Sequence, residues 1–240
     1  MAERIHKRYV LVAALSGAAF ATLGSAAASS GTAPPAPAAR AATGGRMFQL
    51  LESSEALGRL LARQTYAART FPIRIAVTPP DSSWAGAQYK LNSRGRAAFG
   101  WVVLGHPGPK DPLGEIDVET AFDPTPSVAA ILARLRSAGG GATYGPTRRV
   151  TVAGRRAWQI DGRAFGRFGH VFVPFTPKTG GASPPDNLRI DQGERFRLIV
   201  LDVRGKRVVI FLVSFALPPE RFPAFLDSAR PLLASLRFPA

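Results

Sequence analysis

The chain has 240 residues and carries 31 Lys and Arg against 16 Asp and Glu, a formal net charge of +15. It contains no cysteine, which excludes disulfides, thiol catalysis, cysteine-ligated metal sites and a lipid anchor on Cys. The length suffices for one substantial core, and a charge this positive attracts anionic partners.

The first residues, from Arg4 through Lys7 and Arg8, are basic; an apolar stretch follows from Tyr9 to Leu23, then the small residues Gly24 to Ser29. Basic, apolar and small residues in that order form a secretory signal peptide, with Ala26 and Ala28 supplying an A-x-A cleavage site after Ala28. The apolar run falls short of the roughly 20 residues that span a bilayer, so a cleaved signal is expected and a retained anchor is the rival. Without the signal the net charge is +13, and no later apolar run approaches membrane-spanning length. Residues 29–46 are rich in Ala, Pro and Gly without apolar periodicity, which predicts a disordered linker.

From residue 47 to 66 the spacing of Phe48, Leu50, Leu51, Leu57, Leu60 and Leu61 predicts an N-terminal helical segment that Ser53 or Ser54 can cap. Phe71, Ile73, Ile75 and Val77 alternate as in a strand that Pro79-Pro80 ends. A turn at Ser82-Ser83-Trp84 follows, then a strand over Ala98 to Leu104 and a Gly/Pro-rich loop from Gly105. The stretch from Glu115 to Phe122 alternates, which predicts a strand with Ile116 and Val118 buried and Glu115, Asp117 and Glu119 on a wet face. Val128, Ile131, Leu132 and Leu135 predict a helix over Ser127 to Ala138, capped by Ser127 and ended by Gly139.

Two hairpins come next, one turning at Ala153-Gly154 and the other at Arg204-Gly205, separated by a Pro/Gly-rich insertion from Pro174 to Asn187. An amphipathic helix carrying Phe222, Phe225, Leu226, Ala229, Leu232, Leu233 and Leu236 closes the chain, with Pro231 expected to bend it. The fold class this order predicts is α+β: an antiparallel β-sheet flanked by helices.

The Trp84 turn after a Pro-bounded strand, the helix at Ser127 to Ala138, the Val152-Ala-Gly-Arg-Arg-Ala-Trp158 hairpin, the two long strands and the closing Leu232-Leu-Ala-Ser-Leu-Arg-Phe238 resemble the PsbP-like fold and the LpqN-type envelope lipoproteins. The resemblance covers roughly residues 70–238 and implies a PsbP-like α/β/α sandwich domain over 70–240 that binds proteins or lipid without catalysing a reaction. LpqN-type members carry a lipidated Cys that this chain lacks.

Candidate chemistry is sparse. Carboxylates on one strand face lie about 7 Å apart, whereas a divalent cation needs oxygens converging within about 2.6 Å of one point, so Glu115, Asp117 and Glu119 are expected to pair with arginines and hold no metal. His106 and His170 accompany no nucleophile elbow, H-E-x-x-H or P-loop and are expected in loops; no catalytic residue and no cofactor is predicted. Trp84 and Trp101 are expected to pack in the core. The richest basic cluster is Arg148, Arg149, Arg155, Arg156, Arg163 and Arg167, interleaved with Trp158, Phe165, Phe168 and His170. Guanidinium forks there suit phosphate or carboxylate groups, and the same residues also suit a charge-protected hairpin edge. The function expected is an exported, non-enzymatic module of the cell envelope, in the periplasm or cell wall, that engages an envelope protein, an anionic polymer or phospholipid headgroups through its basic surface, with no nucleic acid in its compartment. A small-ligand or lipid carrier is the alternative, and a secreted hydrolase with a non-standard site a third.

Overall fold

The computed structural model describes residues 47–52, 58–68, 71–92, 98–107, 112–121, 126–137, 141–165, 170–172, 188–190, 192–213 and 219–239. The expected signal peptide, the linker, Arg167, Phe168 and the insertion at 174–187 lie outside them.

In chain order the described strands begin with β1 (Met47–Gln49), β2 (Leu51–Glu52), β3 (Gly58–Arg59), β4 (Thr65–Ala68), β5 (Ile75–Val77), β6 (Ala85–Asn92), β7 (Ala98–Pro107) and β8 (Pro112–Ala121). Helix α1 (Val128–Ser137) precedes β9 (Ala142–Tyr144), β10 (Arg148–Val152), β11 (Arg155–Ala164), β12 (His170–Phe172), β13 (Leu188–Ile190), β14 (Arg195–Val203) and β15 (Lys206–Val213), and α2 (Phe222–Ser235) follows a short 3-10 turn. The main sheet runs β10-β11-β14-β15-β8-β7-β6-β2, with β3 also on β6 and β9 also on β11. All its pairings are antiparallel except β2 on β6. A smaller sheet orders β1-β4-β5, and β12 pairs with β13. The described residues are thus mostly β with two α-helices, an α+β arrangement. Among the described residues no helix is long and apolar enough to cross a membrane.

Both predicted hairpins form with two-residue turns. Ala153 and Gly154 stand at φ +51° and +71°, Arg204 and Gly205 at +56° and +79°. Positive φ at both turn residues matches the right-handed twist of the flanking strands, and glycine supplies it without steric cost.

The strands β14 and β15 read as nearly continuous apolar runs, and Leu198 to Leu201 and Val208 to Val213 are all buried. A strand covered on both faces needs apolar residues at every position. One face belongs to a core with Ile116, Val118, Ile199, Leu201, Val208, Ile210 and Leu212, joined by β4, β5 and the α2 residues Phe222, Phe225, Ala229 and Leu232. The opposite face holds Ile160, Phe196, Leu198, Val200, Val209, Phe211 and Val213 beneath Ile131 of α1. Ser127 caps α1 as predicted, its Oγ accepting the Ala130 N–H at 3.0 Å. Pro231 is exposed within α2, which runs on to Ser235.

The predicted helical segment over 47–66 is replaced, where described, by β1 to β4. Phe48 lies opposite Tyr66 in the β1–β4 register, and Leu50 N–H donates to the Ala67 carbonyl at 3.0 Å. Leu50 and Leu60 are both buried, each from its own extended segment. A short apolar run satisfies helical and extended spacing alike, and the backbone partners on β4 and β6 decide the outcome. Strand β6 was not predicted because its Ala-Gly-Ala-Gln-Tyr-Lys-Leu-Asn sequence lacks β-branched residues; eight-residue pairing with β7 makes it a strand regardless.

Candidate functional site

The β10–β11 hairpin carries five of the six arginines singled out from the sequence, Arg167 lying outside the described residues. Its register places Arg148 opposite Gln159, Arg149 opposite Trp158, Thr151 opposite Arg156 and Val152 opposite Arg155. Side chains alternate across a strand, so the five cannot share a face. Val152 and Ala157 belong to the core on the α2 side, and Ile160 and Ala164 to the core on the α1 side. Arg148, Arg155 and Arg163 therefore fall on the α2 side, and Arg149 and Arg156 on the α1 side. The single cluster read from the sequence is two half-clusters on opposite faces of the β10–β11 hairpin.

Each half has its own contacts. On the α1 side the Arg149 guanidinium lies over the half-buried Trp158 ring, 4.9 Å from its centroid. On the α2 side Arg155 sits 5.9 Å from the centroid of the buried Phe238 ring. Arg163 Nε donates to the Gly193 carbonyl at 3.3 Å. Arg148, Arg149, Arg156 and Arg163 are all exposed, and none enters an ion pair among the described residues.

Two further arginines, unnoticed in the sequence, extend the α2-side half. Arg195 is exposed and stands directly opposite Arg163 in the β11–β14 register, and Arg197 stands opposite Asp161. The Asp161 carboxylate accepts from Arg197 Nε at 2.7 Å and from its Nη2 at 3.0 Å, a two-pronged pair that fixes the guanidinium plane. Like charges directly opposite each other destabilise a sheet, so Arg163 and Arg195 together form a local concentration of positive charge with no ion pair to a carboxylate among the described residues. The available signal was the alternation Arg195-Phe196-Arg197 at the start of a strand whose antiparallel partner carries Arg163 near its end.

Beside these residues a groove of about 230 Å³ opens between the sheet and α2. Val150, Val152, Ile199 and Leu212 line the sheet side and Leu226, Leu233 and Ala234 the helix side, with Gln159, Arg197 and Arg230 polar among them. Arg230 pairs with Asp227 at 2.5 Å on the exposed face of α2.

Elsewhere the structure revises the sequence reading. Asp117 does not sit on a wet face: it is 1% exposed, between Val103 and Phe211 in the sheet register, while Glu115 and Glu119 are half-buried. The side of β8 away from Ile116 and Val118 faces the α1 side of the sheet, which is interior at this point. No group of three His, Asp or Glu among the described residues is placed to hold a metal ion. His106 and His170 are strand residues, on β7 opposite Gly114 and on β12 opposite Ile190, in different sheets. Trp84 is fully buried in the α2-side core, as expected, and Phe165 is exposed at the end of β11. Burial pushes the Tyr144 hydroxyl up to about 12.

No family model matches the chain and no curated protein is recognisably similar to it. Among solved structures it is similar to the Pseudomonas aeruginosa protein PA94, of unknown function, at 11% identity and a TM-score of 0.33, over 71% of this chain and 94% of that one.

Proposed function

We propose that this protein is an exported, non-enzymatic binding module of the cell envelope whose arginine-bearing end of the main sheet engages an anionic partner, an envelope polymer, headgroup or acidic protein surface. The domain is proposed to be a PsbP-like sandwich, a reading supported by its antiparallel sheet with one helix against each face. The observation that carries the functional reading is the exposed pair Arg163 and Arg195, held opposite each other by strand register with no described carboxylate paired to either. Such a pair costs the free protein stability and is relieved when an anion bridges it. Export rests on the residue order of the first 28 positions.

Lipid carriage is less well supported. The groove beside α2 is smaller than the roughly 300–1,000 Å³ of typical small-molecule sites.

The test is co-sedimentation of the purified chain with anionic phosphatidylglycerol vesicles, neutral phosphatidylcholine vesicles and isolated cell-wall material at low and high salt. Retention on anionic material that is lost at high salt, and lost at low salt in an Arg163→Glu, Arg195→Glu variant, supports the reading. Equal retention on neutral and anionic material, or none at all, overturns it. Mass spectrometry of protein recovered from the medium or envelope of the producing cells tests export, with a mature chain beginning at Ser29 expected.

A further inference from the structure

The edge strand itself offers more than charge. β10 pairs with β11 on one side, and no described strand pairs with its other side. A two-residue hairpin closes on a hydrogen-bonded pair, here Val152 with Arg155, and bonded and non-bonded pairs then alternate along the ladder. The backbone groups of Arg148, Val150 and Val152 accordingly turn inward to β11, and the N–H and C=O of Arg149 and Thr151 turn outward. That is the donor and acceptor row an extended peptide needs to add as another strand.

The two faces beside this row differ in chemistry. On the α1 side the exposed side chains are Arg149, Thr151 and Arg156. On the α2 side the exposed Arg148 begins the row, and Val150 and Val152 after it lie at the mouth of the groove that Leu226 and Leu233 of α2 close. A strand laid along β10 would therefore meet Arg149 and Arg156 with one set of alternate side chains and, beyond Arg148 at the strand's start, the apolar surface of Val150 and Val152 with the other. A second copy of the same edge is disfavoured, because it would bring Arg149 and Arg156 against their own kind. An acidic strand is not.

We propose that β10 captures an extended segment of a partner protein in which acidic and apolar residues alternate, by strand addition, with the carboxylates on Arg149 and Arg156 and the apolar side chains against Val150, Val152 and the α2 groove. The inference rests on the binding reading above and deepens it, replacing a general anion with a peptide of defined pattern.

The probes are two short fluorescein-labelled peptides of equal composition, one alternating Glu and Val and one with its Glu and Val residues in separate blocks, titrated against the full chain by fluorescence anisotropy. The alternating peptide is expected to bind more tightly than the block peptide. Thr151→Pro removes one outward N–H at a position where an edge strand tolerates proline, and is expected to weaken the alternating peptide about tenfold while leaving the block peptide unchanged. N-methylation of the peptide's alternate amides removes the same class of bond from the ligand side, so the result does not depend on the variant folding. Equal affinity for both peptides, insensitive to Thr151→Pro and to N-methylation, overturns strand addition and leaves a charge-driven surface. Binding of anionic vesicles without binding of either peptide also overturns it while the general reading survives. Failure of vesicles and peptides alike overturns both.

Discussion

Tyr144 and Phe196 meet edge to face, 5.7 Å between ring centroids, across a residue with no side chain: Gly162 lies opposite Tyr144 on β9 and opposite Phe196 on β14. A Cβ at Gly162 would come within 3.0 Å of three atoms of the Phe196 ring, closer than real Cβ atoms approach. Glycine in the middle of a strand ordinarily weakens it, and here the aromatic ring occupies the space that it leaves. Phe196 in turn stacks on Phe211 at 5.8 Å, so the glycine supports a row of three rings on the α1 side.

Gly162→Ala is therefore expected to lose about 1–3 kcal/mol of stability, the usual range for overpacking a full core. At roughly 2–4 °C of melting temperature per kcal/mol the loss is readily seen by circular dichroism. Gly145→Ala is the control, since a Cβ there meets only the Asp161 carbonyl at 3.5 Å. A Gly162→Ala protein as stable as the Gly145→Ala protein would show that Phe196 moves aside freely.

Arg163 and Arg195 separate a functional surface from a merely compositional one. Arg195→Glu converts a repulsive cross-strand pair into an attractive one, so the melting temperature is expected to hold or rise. Retention on anionic vesicles is expected to fall by more than in Arg221→Glu, which makes the same change of net charge at the start of α2. Stability gained while binding is lost marks residues kept for a partner. Equal loss of binding in both variants would mean that net charge alone matters.

Asp161 and Arg197 look like a strong pair by geometry, but their side chains are 43% and 26% exposed. Solvent screening then limits their coupling, and a double-mutant cycle of Asp161→Asn with Arg197→Gln is expected to give about 0.5–1 kcal/mol at most. The Asp161→Asn single variant also probes the groove, because freeing Arg197 from Asp161 gives its guanidinium new orientations beside Gln159 and Ile199. A coupling well above that range would show the pair to be shielded from water.

Much of the fold is legible in the residues that specify it. Ala153-Gly154 and Arg204-Gly205 carry the turn chemistry of two-residue hairpins, and the flanking apolar runs became β10–β11 and β14–β15. Ser127 and the spacing of Val128, Ile131 and Leu132 located α1 to within a residue at each end. The failures share a cause: they depend on which segment lies alongside. Nothing local in Ala85 to Asn92 signals a strand, and it becomes one through β7. Asp117 alternates faultlessly with Ile116 and Val118, yet alternation does not say whether the second face meets water or a second layer, and here it is buried. The site followed the same logic. Composition revealed the arginines, but only pairing register showed that they divide between two faces and that Arg195 joins Arg163.

Tyr144 supplies a pH test of the aromatic row. Its hydroxyl is pushed from the ordinary tyrosine value of 10.0 up to about 12 because burial disfavours the phenolate. In the unfolded chain the group ionises near its ordinary value, so between about pH 10 and about 12 the unfolded state has released a proton that the folded state still holds. Stability depends on pH in proportion to the difference in bound protons, and with fewer on the unfolded side it falls as pH rises. The contribution is therefore fully present below about pH 10 and is lost as pH climbs through about 12. In ultraviolet difference titration, Tyr144→Phe is expected to delete a phenolate step at about pH 12. In denaturant melts, the variant is expected to lose less stability than the wild type over the same two pH units. A Tyr144→Phe variant that titrates like the wild type at about pH 12 would mean that the Tyr144 hydroxyl is open to water.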